Sequence, residues 1–238
     1  MQSPYEFELQ ENCTSCQYCS DGFFCRIPKE ELAALQRIKF SLACPSGTPL
    51  FLKGQPCRGI YILCSGRVKL STSSHDGNTL ILRIAKPGDV LGLGAIVSGS
   101  LHNTSAETGQ SCQLNFVKGP DFLHFLEHNG EARMHSAVHL SHECQQGYQQ
   151  FRSFMMSTAP ERVARLIIDW SQDDFDVAGL NGIKISLTHD EIAQIIGASR
   201  ETVTRTLTDF RNRHIAELHD SRLIIRDLPA LRQIASAA

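Results

Sequence analysis

Hydrophobic positions change their spacing several times along this chain. In residues 49–116, short apolar runs alternate with glycine turns. The clearest runs occupy residues 59–63, 67–70 and 79–84. Many short strands between turns predict an antiparallel roll or barrel. Asp76-Gly77 predicts a hairpin turn, because this dipeptide tolerates positive φ. A short helix is predicted just before the roll, where Leu32, Leu35 and Ile38 recur at helical spacing.

A long helical pattern begins near residue 131. Its apolar and small residues recur at alternating spacings of three and four, which is typical of a coiled-coil seam. Ser141 is polar and Gly147 weakens the helix, so we expect a dimer of marginal stability. Packing of this helix on its own barrel is the alternative. The predicted dimer interface consists of Met134, Ala137, Cys144, Tyr148, Phe151 and Met155.

Two short helices are predicted near the end of the chain. Thr188 and Glu191 form a capping box for the first helix, and Gly197 ends it. Ser199 caps the second, over residues 200–213, whose apolar stripe is Val203, Leu207 and Phe210. Two helices joined by a short turn containing glycine indicate a helix-turn-helix. Residues 218–226 follow as a hairpin, or wing.

The second of these helices carries polar residues on the face opposite its apolar stripe. Arginine suits guanine in the major groove, and glutamate accepts from cytosine N4. The Ser199 hydroxyl and the helix N-terminus favour a backbone phosphate. A solvated charged face is the alternative, but the capped helices and the wing favour binding of double-stranded DNA. The predicted DNA-binding residues are Ser199, Arg200, Glu201, Thr204 and Arg205.

Composition and charge set limits on this interpretation. The chain has 238 residues, enough for two domains, and a net charge of −2. Residues 157–238 hold ten Arg and Lys against twelve Asp and Glu, so a basic footprint must be local. No apolar run spans a membrane, and the first residues lack a secretory signal pattern, so we expect a cytoplasmic protein. No nucleophile–base pair or phosphate loop is present, so an enzyme is not expected.

Four of the nine cysteines lie within thirteen residues of each other, at Cys13, Cys16, Cys19 and Cys25. They form either a disulfide knot or thiolate ligands for a soft metal or an iron–sulfur cluster. An odd cysteine count and a reducing compartment favour metal binding or redox chemistry. An all-thiolate zinc site is one form of this. Of the others, Cys64 and Cys144 are expected to be small core side chains.

With these elements in place, the chain resembles the Crp/Fnr transcription regulators over nearly its whole length. The segment Gly197-Ala-Ser-Arg-Glu-Thr-Val-Thr-Arg205 is close to the recognition-helix signature of that family. The resemblance implies an α+β fold. It comprises an N-terminal antiparallel β-roll like a cyclic-nucleotide-binding domain, a long dimerisation helix and a C-terminal winged helix-turn-helix. The corresponding boundaries are 1–28 for a cysteine-rich segment, 29–130, 131–157 and 158–238.

The cysteine spacing resembles the iron–sulfur branch, the fumarate and nitrate reduction (FNR) regulators. Cys16-x2-Cys19-x5-Cys25 is similar to its N-terminal ligands, and residues 107–112 are similar to the place of its fourth. The resemblance implies a [4Fe–4S] cluster on Cys16, Cys19, Cys25 and Cys112, with Cys13 as an extra. It further implies a homodimer that senses oxygen or nitric oxide and binds a palindromic operator, with RNA polymerase as a partner if the protein is an activator.

The cyclic-nucleotide branch differs at its ligand pocket. Its members have a glutamate and an arginine where this chain has Leu93 and His102 or Asn103, so no cyclic nucleotide is expected. Arg200 resembles the cAMP receptor branch, which implies TGTGA-like half-sites. A zinc-stabilised or thiol/disulfide-switched regulator of the same fold remains the alternative, and a haem-binding member that uses a histidine is a third.

Overall fold

The computed structural model describes residues 13, 22, 24, 27–173, 183–184, 187–219 and 222–236. The chain divides into two compact units, residues 1–145 and 146–238. Helix α4 (Gly130–Met156) is continuous through this division. It corresponds to the helix predicted over residues 131–157.

The first unit is built from two antiparallel sheets and three further helices among the described residues. Its helices are α1 (Lys29–Ile38), α2 (Leu93–Ser98) and α3 (Gly119–His128). Its strands are β1 (Lys39–Cys44), β2 (Pro49–Phe51), β3 (Gly59–Ser65), β4 (Val68–Ser73), β5 (Thr79–Ala85), β6 (Val90–Leu91), β7 (Ser105–Thr108) and β8 (Cys112–Lys118). The sheet orders are β1-β8-β3-β6 and β2-β7-β4-β5. The predicted antiparallel roll is confirmed.

The sheet that contains β3 and β8 has two buried faces. Ile60, Ile62 and Val117 pack with α1 and α3, in a cluster that also contains Phe24 and Phe122. Along the same strands, Leu63, Cys112 and Leu114 pack against the second sheet. Successive side chains of a strand point to opposite faces, so the two cores alternate along β3 and β8, apart from a register shift between Leu63 and Ser65.

Local turn chemistry agrees with the sequence in the roll. β4 and β5 pair from Val68↔Ala85 to Ser73↔Thr79, and Gly77 in the turn has φ +81°. The Asp-Gly hairpin is therefore confirmed. Pro28 lies before the first turn of α1, as its N-cap, because its extended ψ of 149° is outside the helical range.

The second unit contains the predicted helix-turn-helix and wing. Its further elements are α5 (Ala159–Asp173), β9 (Ile183–Lys184), α6 (His189–Ile196), α7 (Arg200–Asn212), β10 (Ala216–His219), β11 (Arg222–Ile225) and α8 (Leu228–Ala235). The strands form an antiparallel sheet in the order β10-β11-β9. Val203, Leu207 and Phe210 are buried, as predicted, in a core shared with α5 and α8.

Side-chain caps set the ends of the two helices. The Thr188 hydroxyl accepts from the Glu191 backbone N–H, and the Glu191 carboxylate accepts from the Thr188 N–H. Gly197 ends α6 in the left-handed conformation at φ 62°. The Ser199 hydroxyl accepts from the Thr202 N–H and begins α7. The predicted capping box and glycine stop are confirmed.

The predictions that Cys64 and Cys144 are small core side chains were wrong for the single chain described. Cys64 is only half-buried and faces a polar partner, and Cys144 is exposed on α4. Neither is a small core side chain. The prediction failed because hydrophobic spacing carries no information on which helix or amide lies opposite each cysteine. Among the helices that the structure describes, none is long and apolar enough to cross a bilayer.

Replacing Thr188 by alanine should destabilise the second unit. The change removes one cap of α6, which costs about 1 kcal/mol of unfolding free energy. The single tryptophan, Trp170, packs against the core of this unit, so its fluorescence during urea unfolding reports the change. Thr208→Ala, at an exposed position on α7, is the control and should shift the stability by less than about 0.5 kcal/mol. Equal effects of the two substitutions would contradict the role of the cap.

Candidate nucleic-acid interface and sensor site

Helix α7 separates its buried and exposed residues cleanly. Val203, Leu207 and Phe210 face the core. The predicted DNA-binding residues Arg200, Glu201, Thr204 and Arg205 are all exposed. The 3.6-residue period thus places the polar positions together on one solvent-facing side of the first two turns. This side is able to enter a major groove without disturbing the core behind it.

The start of α7 favours negative charge. Hydrogen bonds from its own backbone N–H and from the Ser199 hydroxyl lower the pKa of Glu201 below its usual range. The carboxylate is therefore ionised at neutral pH and lies close to the helix N-terminus. Ser199 also contacts the Thr202 hydroxyl at 3.1 Å, so its cap is part of a small hydroxyl network.

His189 adds a contact that the sequence did not indicate. Its Nδ1 lies 3.0 Å from the hydroxyl oxygen of Thr204, which is exposed, while His189 itself is half-buried. This bond joins the first turn of α6 to the exposed side of α7. The sequence places His189 directly after the Thr188 cap, which fixes it at the first position of α6, but gives no indication of its partner.

Helix α4 has an apolar stripe that is exposed to solvent in a single chain. Tyr148, Phe151 and Met155 are 71%, 66% and 71% exposed. Met134, Ala137 and Cys144 lie on the same stripe and are also exposed. Val138 and Met156, which are not part of the predicted seam, are exposed as well. Large side chains of this kind, repeated along one helix, are typical of an interface with a second chain.

A different side of α4 packs on the first unit. Ala132 and Ser136 are buried, and the Glu31 carboxylate accepts from the Glu131 and Ala132 backbone N–H groups. Glu31 therefore caps the start of α4 from α1. The sequence left open the alternative that this helix packs on its own barrel. That packing is found on this side of α4, whereas the predicted seam lies on another side of the same helix.

An ion-pair cluster ties β5 to α4. Arg83 donates to the Glu143 carboxylate at 3.1 Å, and its guanidinium lies 3.7 Å from Asp89. The His139 imidazole lies 3.6 Å from Glu143 on the next turn of the helix. Burial opposes ionisation of Glu143, but His139 and Arg83 outweigh it and lower the pKa of Glu143. Glu143 thus serves as the contact between the barrel and the helix.

The predicted cluster ligands fall in two places. Cys16, Cys19 and Cys25 lie outside the described residues. Cys112 is fully buried in the core between the two sheets, directly opposite Cys44 on β1. Its thiol contacts the Arg67 and Gln110 carbonyl oxygens at 3.3 and 3.2 Å.

Burial is also the main reason why the pKa of the Cys112 thiol rises to about 11. A thiol must lose its proton to bind a metal, and burial in this core opposes that loss. Its assignment as a ligand stays a prediction.

Two other cysteines share one amide. Asn115 on β8 donates from Nδ2 to the Cys64 sulfur at 3.1 Å and lies 3.6 Å from the Cys13 sulfur. The Cys13 backbone N–H donates to Gln36 on α1 at 2.9 Å. These cysteines lie on the helix-facing side of the sheet, where Cys13 packs with the cluster that contains Phe24.

A cavity of about 290 Å³ lies within the first unit, and Leu93, His102 and Asn103 are among the residues that line it. Of the described residues that line it, Arg83 alone carries a permanent positive charge, and Glu143 neutralises that charge. His102 stacks on Phe51 at 3.8 Å, and burial lowers its pKa. Leu93 is buried at the cavity wall. The expectation that no cyclic nucleotide binds stays a prediction.

Comparison with known families divides the chain as the structure does. The cyclic nucleotide-binding domain matches residues 42–129, and the Crp-like helix-turn-helix domain matches residues 161–234. Together the two matches cover most of the described chain. They join a sensor-type roll to a DNA-binding unit.

Characterised relatives match over most of their length. The chain is 26% identical over 215 residues to a CRP-like cAMP-activated global transcriptional regulator of Mycobacterium tuberculosis. The aligned region covers 90% of this chain and 96% of that protein. It is 24% identical over 182 residues to the cAMP-activated global transcriptional regulator CRP of Pasteurella multocida. This aligned region covers 76% of this chain and 87% of the relative.

Solved structures show the same fold. FixK2 from Bradyrhizobium japonicum superposes with a TM-score of 0.75 at 20% identity, over 84% of this chain and 99% of that chain. The c-di-GMP-responsive global regulator CLP from Xanthomonas campestris gives 0.74 at 17% identity, over 83% and 99%.

Substituting Arg205 should weaken sequence-specific DNA binding. Arg205→Ala removes an exposed guanidinium, and loss of a bidentate contact to guanine costs about 1–3 kcal/mol, roughly 5- to 150-fold in affinity. A gel-shift titration on a palindromic TGTGA-like site measures this. Arg232→Ala, which removes an exposed charge from α8, is the control and should change the affinity only slightly. Equal losses for the two variants would contradict base reading by Arg205.

Proposed function

The chain belongs to the Crp/Fnr family of DNA-binding transcription regulators, and from this premise we propose that it is an oxidant-responsive regulator that acts as a homodimer on palindromic DNA. Its relatives are regulators and not enzymes. The observation that carries the proposal is the solvent-facing side of α7, where Arg200, Glu201, Thr204 and Arg205 stand before a fully packed core.

Two copies of α7 read the two halves of the operator. Crp/Fnr regulators bind DNA and act as dimers, and two recognition helices of a dimer meet successive major grooves one helical turn apart. Arg200 and Arg205 contact guanine, while Glu201 accepts from cytosine N4. Because Glu201 is ionised, it also rejects bases that offer only acceptors at that point. This combination favours TGTGA-like half-sites.

The dimer forms along the exposed stripe of α4. Burial of a phenylalanine side chain stabilises an interface by about 1.5–3 kcal/mol, and each chain offers Tyr148, Phe151 and Met155 for such burial. Ser141 and Gly147 interrupt the stripe, so the dimer is weak enough to be controlled. A marginal interface turns a small change in the barrel into a large change in dimer population.

The sensor is a [4Fe–4S] cluster held by the cysteine-rich N-terminal segment. The spacing of Cys16, Cys19 and Cys25 supports this, together with the odd cysteine count. A cluster bound there would supply iron–thiolate bonds that are sensitive to oxygen or nitric oxide. Within this segment, Phe24 packs edge-on against Phe122 of α3, with ring centroids 6.0 Å apart.

The barrel communicates with α4 through charged groups. Arg83 and Glu143 join β5 to the helix that carries the seam, and Glu31 holds the helix start. A change in how the N-terminal segment packs on α3 reaches the first turns of α4, because α3 and α4 are consecutive and share the core that contains Phe24. The chain's own residues thus provide a physical route from the cysteines to the seam.

Phe151→Ser should weaken the dimer without unfolding the chain. It removes an exposed side chain that becomes buried only between two copies, so the dimer dissociation constant should rise by at least about tenfold. Sedimentation equilibrium measures this change. Gln149→Ser, one residue beyond the stripe, is the control and should leave dimerisation unchanged. A Phe151→Ser protein that dimerises like the parent would contradict the proposed interface.

Anaerobic purification should yield a brown protein that contains iron and sulfide. Exposure to air should bleach its visible absorption, with loss of the dimer and of DNA binding, and Cys16→Ala or Cys25→Ala should be colourless from the start. Absorption spectra with iron and sulfide analysis measure this. A colourless parent that contains zinc, or no metal, would refute the iron–sulfur sensor and favour thiol chemistry, while leaving the DNA-binding proposal intact.

A further inference from the structure

Helix α3 carries three side chains of metal-ligand type on one exposed side. His124, Glu127 and His128 occupy positions i, i+3 and i+4, which are neighbours on the surface of a helix. All three are exposed. Each offers one ligand atom, and these atoms lie within 4.8 Å of one another. Two imidazoles and one carboxylate thus lie together outside the helix.

The separations suit a first-row transition-metal ion. Zn²⁺ binds nitrogen and carboxylate oxygen at about 2.0–2.2 Å, so the ligand atoms of a tetrahedral site lie roughly 3.3 Å apart. The His124 Nδ1 and the Glu127 carboxylate are 3.8 Å apart, and the ring centroids of His124 and His128 are 4.2 Å apart. The side chains of His124 and Glu127 are 74% and 71% exposed, so small rotations about their χ angles close the remaining gap.

A hydrogen bond fixes the tautomer of the His128 ring. Its Nδ1 lies 2.9 Å from the His124 carbonyl oxygen, which can only accept. Nδ1 therefore carries a proton, and Nε2 of the neutral ring keeps its lone pair. Histidines that bind metals almost always donate their other ring N–H to a carbonyl, a carboxylate or water, which orients the ring and raises the basicity of the bound nitrogen. His128 already has this arrangement.

The backbone beneath the three side chains is firmly held. Phe122, Phe125 and Leu126 alternate with them along α3 and are buried in the core of the first unit. The Asn129 side chain donates to the Phe125 carbonyl oxygen at 2.7 Å, at the end of the helix. The carbonyl groups of a last helical turn carry partial negative charge, which favours a cation there. The side chains therefore project from a rigid element, next to a helix end that attracts positive charge.

We propose that His124, Glu127 and His128 form a binding site for a divalent transition-metal ion, and that Zn²⁺ is the ion. Zn²⁺ accepts imidazole nitrogen together with carboxylate oxygen, whereas Mg²⁺ and Ca²⁺ prefer oxygen alone. Three protein ligands leave the fourth position of a tetrahedral ion to water. The site uses no cysteine, so it goes beyond the proposed function and does not rest on it.

The position of the site favours binding without catalysis. The order His-x-x-Glu-His also occurs on the metal-binding helix of one class of zinc enzymes. Here the three side chains lie on the open surface, and the cavity of the first unit does not include them. A bound ion would link two successive turns of α3 directly before α4 begins at Gly130. Its effect is therefore to stabilise the end of α3.

Nuclear magnetic resonance of the histidine rings tests the site in the full-length protein. Zn²⁺ is titrated into isotope-labelled protein, and the ring nitrogen signals are followed residue by residue. The signals of His124 and His128 should shift together and saturate at the same Zn²⁺ concentration. The signal of His142, which is also exposed on a helix, should shift little. Because each ring is observed separately, Zn²⁺ that binds to cysteines does not affect the conclusion.

Substitution of the ligands should weaken the binding. His128→Ala should raise the Zn²⁺ dissociation constant, measured on the His124 signal, by at least about tenfold, because loss of a group that only supports a ligand already costs about 10- to 100-fold. Glu127→Gln keeps the size of the side chain, removes its charge and should also weaken binding. His142→Ala is the matched control, since His142 belongs to no three-residue ligand group among the described residues, and it should leave the affinity unchanged.

Two results would overturn the proposal. In one, the His124 and His128 signals of the parent move no more than that of His142. In the other, the dissociation constant is the same in His128→Ala and in the parent. The titration of the parent needs no variant, so the first result is independent of how a variant folds. Neither result bears on the iron–sulfur sensor, which is tested by the visible absorption of protein purified without air.

Discussion

The alternation of side chains along β3 and β8 is the constraint on which the rest of this structure depends. The sheet has a core on each face, so a residue on either strand packs with the helices or with the second sheet. Helices α1 and α3 cover one face, and the start of α4 continues from that layer.

Helix α4 has two different sides, one packed on the first unit and one exposed to solvent. One side contacts the first unit through Glu31, which accepts from two backbone N–H groups, and through the ion pair of Glu143 with Arg83. Its apolar stripe lies on exposed positions of the same helix. The DNA-binding unit uses a simpler rule: two capped helices and a buried stripe fix an exposed polar side.

Features encoded locally could be predicted from the sequence. The Thr188 capping box, the Gly197 stop and the Asp76-Gly77 turn each depend on neighbouring residues, and each is present. Features that depend on tertiary register could not. The family resemblance pointed to Cys112 without indicating that this side chain lies in the core between the two sheets. Cys64 resembled a core residue because its partner Asn115 lies 51 residues away. The Arg83–Glu143 pair, 60 residues apart, left no local signal either.

A hydroxyl-radical footprint on a palindromic site tests the central claim most directly, that two copies of α7 read two halves of one operator. The account predicts two protected segments on one face of the duplex, about 34–36 Å apart, which is one helical turn. Both should disappear together when one half-site is scrambled and the protein is dilute. A single protected half-site that is unaffected by its partner would contradict a dimeric reader and the role assigned to α4.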